Sequence, residues 1–141
     1  MNTERTCAAC GARNRVPASR LGQRGKCGSC TAELAAAEAP VDVREASFDE
    51  IVLSSKVPVL VDFWSPTCGP CRVVAPELAK VAKRKSGGLL VAKVNTHADP
   101  ALAQRFDIEA VPTMILFRGG HEVKRVLGAM PADRIERSLG V

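Results

Sequence analysis

Six cysteines stand in three Cys-X-X-Cys pairs, Cys7–Cys10, Cys27–Cys30 and Cys68–Cys71. Sixteen residues separate the first two pairs, which is within the spacing of four-cysteine zinc sites. Each pair allows a tight turn to aim two thiolates at one ion, and two such knuckles complete a tetrahedron of soft ligands. Gly11, directly after Cys10, and Gly28 suit those turns. Cys7, Cys10, Cys27 and Cys30 are therefore the expected ligands of one zinc ion, structural or regulatory; two independent reducible thiol pairs are the plainer alternative. Cys7 to Cys30 offers only Val16 and Leu21 as core candidates. Metal binding, not apolar burial, is then expected to supply most of the segment's folding free energy.

The third pair, Cys68-Gly69-Pro70-Cys71, follows an apolar run and opens a helical pattern, the setting of a redox motif. Free N–H groups and the dipole at a helix N-terminus favour negative charge, so Cys68 is expected to be acidic and nucleophilic. Cys71, one turn later, is close enough to close a small disulfide ring. Pro70 loses nothing by lacking an N–H in the first turn. A metal role for this pair is the weaker alternative, since four other cysteines already complete a tetrahedral site. Asp62 lies inside the apolar run, six residues before Cys68. Desolvation there raises a carboxyl pKa towards neutrality, which suits proton transfer, and Lys93 in the next apolar run is a candidate partner. A strand-end aspartate reaching solvent is the alternative.

The elements that must position these groups follow from periodicity. Val41 to Val43 reads as a short strand, and Ser47-Phe48-Asp49-Glu50 as a capping box opening a helix to about Ser54. Val57 to Trp64, apolar apart from Asp62 and Pro58, reads as a central strand buried on both faces. Pro70 to Lys85 sets Val73, Val74, Leu78 and Val81 at helical spacing, with Pro76 as a kink. Leu89 to Asn95 is a second buried strand, and Asp99-Pro100 opens a helix to about Phe106. Pro112 to Arg118 and Glu122 to Leu127 flank Gly119-Gly120 as a hairpin, and a last helix runs from Pro131 or Ala132 to Leu139. The order βαβαβαββα predicts an α/β fold with a parallel central portion and a terminal antiparallel hairpin. The expected organisation is a zinc ribbon over 1–30, a linker over 31–40 with a turn or two of helix, and one larger domain over 41–141.

Composition agrees with one ordinary domain plus a small appendage. The chain has 141 residues, 46% hydrophobic and 25% charged, which excludes wholesale disorder and fibrous architectures. Residues 1–30 hold six basic side chains against Glu4 alone, whereas 31–141 carry 14 of each sign. The net charge of +5 thus belongs to the first segment. Four thiolates with one Zn²⁺ lower that segment from +5 to about +3. No apolar leader opens the chain and no run approaches the roughly 20 residues that span a bilayer. A soluble cytoplasmic protein without a membrane partner is expected, and in that reducing setting the cysteines call for metal or redox chemistry rather than a structural disulfide framework.

Val61-Asp62-Phe63-Trp64-Ser65-Pro66-Thr67-Cys68-Gly69-Pro70-Cys71, followed by Pro76, Lys93, Val111-Pro112-Thr113 and Gly128, resembles the thioredoxin family over about Val41 to Val141. With the cysteine-rich segment in front, the whole chain resembles that family's zinc-binding second thioredoxins of bacteria. The resemblance implies a thioredoxin fold, a central mixed sheet flanked by helices, and a protein-disulfide reductase without a tightly bound organic cofactor. It implies that Cys68 attacks a substrate disulfide and Cys71 resolves the mixed disulfide, with Asp62 as base for Cys71 and Lys93 tuning it. Trp64, Gly69, Pro70, Val111, a cis Pro112 and Gly128 are implied to form the substrate-binding surface. The implied partners are disulfide-containing proteins and an NADPH-dependent thioredoxin reductase, with the chain a monomer. Thr67 stands where the family usually has tryptophan, which makes the rim less apolar.

Two other functions fit less well. A nucleic-acid or acidic-partner module built on the basic ribbon lacks stacking residues, because no Phe, Trp or Tyr precedes Phe48. A disulfide oxidase or isomerase belongs to an oxidising compartment. His97 and His121 lie at no metal spacing from a cysteine, and Lys83-Arg84-Lys85 reads as a solvated helix end.

Overall fold

A computed structural model describes residues 2–141. The first third holds two small antiparallel sheets. One pairs β1 (Asn2–Thr6) with β2 (Arg13–Pro17), and the other pairs β3 (Gly25–Lys26) with β4 (Glu33–Leu34). A single 3₁₀ turn, Ala18–Arg20, follows β2. These strands carry too few apolar residues to announce themselves by pattern.

Then come β5 (Val41–Asp42), α1 (Glu45–Phe48), β6 (Val59–Trp64), α2 (Gly69–Arg84) and β7 (Leu90–Asn95). They are followed by α3 (Pro100–Arg105), β8 (Thr113–Arg118), β9 (His121–Leu127) and α4 (Ala132–Leu139). The five strands form one mixed sheet in the order β5-β7-β6-β8-β9, parallel up to β6 and antiparallel beyond it. Gly119 and Gly120, with φ of 58° and 82°, supply the two left-handed positions of the tight β8–β9 turn.

Alternation along the strands sorts the core into two layers. Val59, Val61 and Phe63 of β6 join Leu90, Ala92 and Val94 of β7, Phe117, and Phe48 and Leu102 from the helices. Leu60 and Val91 face the other way, onto Val74, Leu78 and Val81 of α2 and Ile135 and Leu139 of α4. Period two therefore puts Asp62 and Lys93 on the α2 side of the sheet.

Four expectations change. Residues 31–40 contain no helix; Glu33–Leu34 pairs with β3, and Leu34 is 4% exposed because it packs on Cys7 and Cys27. The helix expected from Ser47 starts earlier. Ser47 Oγ sits within it, accepting from Arg44 N–H at 3.4 Å and donating to Arg44 O at 3.3 Å. Past Phe48 that helix widens into a π-type turn over Asp49–Leu53, closed by Ser54 N–H to Asp49 O. Val73 is 65% exposed, since Val74, Leu78 and Val81 already define the buried stripe and a neighbour in sequence lies about 100° away around the helix.

The fourth change concerns the basic segment, which is docked rather than appended. Ala18 is fully buried and, with Leu21, joins the core layer that contains Val59 and Leu90. Gly22 lies so close to Val57 Cγ2 that no Cβ fits there. Ala37 N–H donates to Leu21 O at 3.0 Å and Lys56 N–H to Ser19 O at 3.2 Å. The contacts fall at the opening ends of β6 and β7, whereas Cys68 follows the closing end of β6. About 17 Å of strand separates those ends.

Candidate active site and metal centre

Cys68 is the N-cap of α2. Its Sγ accepts from Cys71 N–H at 3.2 Å, so a sulfur takes one of the free donors of the first turn, where the helix dipole favours negative charge. Cys68 and Cys71 are joined as a disulfide with Cα atoms 5.3 Å apart. Gly69 and Pro70 fill the first turn between them, and Pro70, having no N–H, leaves no donor unpaired. Exposure separates the two sulfurs' roles: Cys68 is half-buried and Cys71 is 4% exposed. Cys68 is the more accessible of the two sulfurs.

A second loop closes over the pair. Val111–Pro112 is a cis peptide bond, and Val111 O lies 3.6 Å from Cys68 Sγ. Gly128 N–H donates to Pro112 O at 2.9 Å and Thr113 Oγ1 to Ala110 O at 2.6 Å. The loop is thereby pinned from β9 on one side and β8 on the other. Pro112 is buried and Val111 half-exposed.

Beneath α2, Asp62 and Lys93 are register partners on parallel strands. Asp62 is 1% exposed, and its Oδ1 has no hydrogen-bond partner among the described residues. Burial pushes its pKa up to about 7, against the smaller opposing pull of Lys93. Asp62, Lys93, Trp64, Pro66, Cys71 and Ala75 line one cavity of about 180 Å³. A titratable carboxyl poised near neutrality and the buried sulfur therefore face the same space. Lys93 Nζ sits 5.0 Å from the Trp64 ring centroid, and Trp64 O accepts from Thr96 N–H at 2.8 Å and Thr96 Oγ1 at 3.0 Å.

At the other end, the Sγ atoms of Cys7, Cys10, Cys27 and Cys30 all lie within 4.8 Å of one another. Cys7–Cys30 and Cys10–Cys27 are 3.6 and 3.7 Å apart. A regular tetrahedron with metal–sulfur bonds of about 2.3 Å has edges of about 3.8 Å, so the quartet fits a four-thiolate metal centre. The two knuckles repeat one design. Gly11 N–H donates to Cys7 O and Thr31 N–H to Cys27 O, while Cys7 and Cys27 donate in turn to Ala12 O and Ala32 O. The residue after the second cysteine is left-handed in both, Gly11 at φ 77° and Thr31 at φ 64°. Thr31, not Gly28, holds the demanding position of the second knuckle, a conformation that costs a non-glycine residue about 1 kcal/mol or more. Gly28 N–H instead binds Asn14 Oδ1, whose amide reaches Cys27 Sγ at 3.5 Å. The N–H groups of Cys30 and Ser29, with the Asn14 amide, hold the Cys27 thiol down to about 6.

Cys68, Cys71, Asp62, Lys93, Trp64, Val111, Pro112 and Gly128 thus gather at one end of the sheet. Pattern reading did not single out Arg72, whose guanidinium donates to Pro66 O at 3.2 Å, nor Thr96 and Asn14. Their contacts are short-range polar braces with no periodic signal. His97 and His121 are exposed, and neither belongs to a metal-holding group among the described residues.

A helix-capping cysteine pair beside a cis-proline loop on this sheet defines a thiol–disulfide oxidoreductase. The thioredoxin family model matches residues 39–140, and the model described as Thioredoxin 2, N-terminal matches residues 6–32. The chain is 40% identical over 133 residues to Thioredoxin C-3 of Corynebacterium nephridii, covering 94% of this chain and 90% of that one. It is 44% identical to Thioredoxin 1 of a Nostoc species over 72% of this chain and 94% of the relative. A bifunctional thioredoxin reductase/thioredoxin of Mycobacterium leprae matches at 46% identity over 70% of this chain and 22% of its own length. The chain belongs to the thioredoxin family, and its four-cysteine N-terminal segment is similar to the N-terminal zinc ribbon of Thioredoxin 2.

Proposed function

We propose that this chain is a protein-disulfide reductase. The Cys68 thiolate attacks one sulfur of a substrate disulfide, expelling the other as a thiolate and forming a mixed disulfide. Cys71 passes its proton to the Asp62 carboxylate across the shared cavity and attacks Cys68 Sγ. The second substrate sulfur leaves as thiolate, so the substrate gains two electrons and the chain retains the Cys68–Cys71 disulfide. Lys93 moderates the basicity of Asp62. Trp64, Gly69, Pro70, Val111, Pro112 and Gly128 form the seat for an extended substrate segment, with the backbone of Val111 available for strand-like pairing. The observation that carries this reading is the sulfur N-cap: Cys71 N–H on Cys68 Sγ at 3.2 Å, at the open end of α2.

Recharging by an NADPH-dependent thioredoxin reductase is supported by the fused arrangement named for the Mycobacterium leprae relative. Zinc is the metal that four clustered thiolates favour; Cys7, Cys10, Cys27 and Cys30 hold one ion, which fixes the ribbon. The functional division is a ribbon at 1–34, whose second sheet Glu33–Leu34 completes, and a redox domain at 41–141, joined through 35–40. The setting is the cytoplasm and the working form a monomer. Among the described residues no helix is long and apolar enough to cross a membrane.

The test is insulin reduction coupled to NADPH oxidation with purified thioredoxin reductase. The wild-type chain is expected to turn over and Cys68→Ser to lose turnover by at least 10³-fold, about 4 kcal/mol of transition-state stabilisation. Activity retained by Cys68→Ser would defeat the proposal.

A further inference from the structure

The basic charge of the first thirty residues converges on one place. A cavity of about 170 Å³ opens between the two small sheets, lined by Arg5, Arg20, Arg24 and Lys26 together with the apolar Val16 and Leu34. Arg5 is half-buried and donates through Nη1 and Nη2 to the backbone oxygens of Gln23 and Leu21, both at 3.1 Å. Among the described residues no carboxylate lies within ion-pair distance of Arg5, Arg20 or Lys26. Arg24 has one, Glu33 at 3.6 Å, with both side chains about two-thirds exposed, and such a pair contributes little. The only other acid on β1–β4 is Glu4, which stands opposite Arg15 across the strand pair.

A partly desolvated guanidinium without an anion carries a cost, because charges withdrawn from water in folded proteins are normally paired. Its carbonyl partners fix the Arg5 fork in place but do not neutralise it. Guanidinium forks match the oxygens of a phosphate group. The cavity is smaller than the roughly 300 to 1,000 Å³ of sites that enclose whole organic ligands, so it has room for one such group and not for a complete nucleotide. Its place on the ribbon puts it away from the redox pair.

We propose that this pocket binds a single phosphate group, either free phosphate or the terminal group of a small phosphorylated metabolite. The test is an amide-shift titration of the metal-loaded full-length chain, adding inorganic phosphate in one arm and ADP in the other, with ionic strength held constant by chloride. Saturable shifts confined to residues around Arg5 and Arg20 to Lys26 are expected. Arg20→Gln/Lys26→Gln removes two exposed cationic side chains that make no side-chain hydrogen bond among the described residues, and it should raise the dissociation constant at least tenfold while insulin reduction is unchanged. Equal affinity for phosphate and ADP identifies the free anion as sufficient, and ADP binding at least tenfold tighter identifies a phosphorylated metabolite. Shifts that chloride reproduces, or that survive the double substitution, overturn the site. A single-stranded oligonucleotide that displaces phosphate with affinity rising with its length overturns it in favour of a nucleic-acid surface.

Discussion

Cys27 and Cys71 are almost equally buried, at 2% and 4% exposure, yet the fold depends on them in opposite ways. Cys71 rides on a sixteen-residue helix whose neighbours Val74, Leu78 and Val81 are anchored in a sheet-backed apolar layer. Around Cys27 the buried apolar company is Cys7 and Leu34, with Ala12 and Ala32 packed at the edge. In the ribbon the sulfurs are the core; in the larger domain they are guests on a core that stands without them. A sulfur that can be oxidised and reduced on every turnover belongs on the second kind of support. One that must stay fixed on a metal can serve as the support itself.

Removing the metal should therefore expose the contrast most strongly. Chelation is expected to abolish amide protection throughout β1 to β4 while β6 to β9 remain protected, reflecting metal-binding free energy on the order of 10 kcal/mol. Hydrogen exchange followed by mass spectrometry reads both regions at once. Protection lost equally from both would erase the distinction.

Next in size is Asp62. Its folded pKa of about 7 lies above the unfolded value of about 3.9, so the native state binds the extra proton between these values. Stability therefore falls as pH rises from about 4 to about 7 and levels off above. Asp62→Asn should gain about 2 to 4 kcal/mol at pH 8 and little at pH 3.5, flattening that slope in urea titrations. The same variant should slow release of substrate from the mixed disulfide near neutral pH.

The smallest expected effect tests how far the two regions are joined. Gly22→Ala adds a methyl against Val57 and Leu90, an overpacking cost of about 1 to 3 kcal/mol. Because the clash is at the junction, the thermal transition of the larger domain should fall as well. A drop confined to the ribbon's own transition would show that docking carries no energy.

What sequence reading recovered and missed follows the same divide. The β-branched run ending at Trp64 announced β6, and Asp62 stood out because nothing else in that run was charged. The Cys-X-X-Cys pairs were legible because their chemistry demands fixed spacing. The docking of the ribbon was not, since Ala18 and Gly22 act there by being small, and small residues leave no hydrophobic signature. Thr31 in a left-handed turn was equally hidden, because the second knuckle copies the first through backbone geometry and not through residue type. The early start of α1 escaped because Ser47 Oγ bonds back to Arg44 from inside the helix, where a capping pattern puts it outside.

If Cys68 and Cys71 work by changing oxidation state and the ribbon cysteines by holding still, the two sets separate in one thiol-mapping experiment. The fully reduced, metal-loaded chain is mixed with a stoichiometric disulfide substrate, and free thiols are alkylated, mapped by mass spectrometry and compared with metal content. Two thiols are expected to be lost, at Cys68 and Cys71, with one metal ion retained on Cys7, Cys10, Cys27 and Cys30. Loss of ribbon thiols and release of the metal while Cys68 and Cys71 stay reduced would contradict that division of roles.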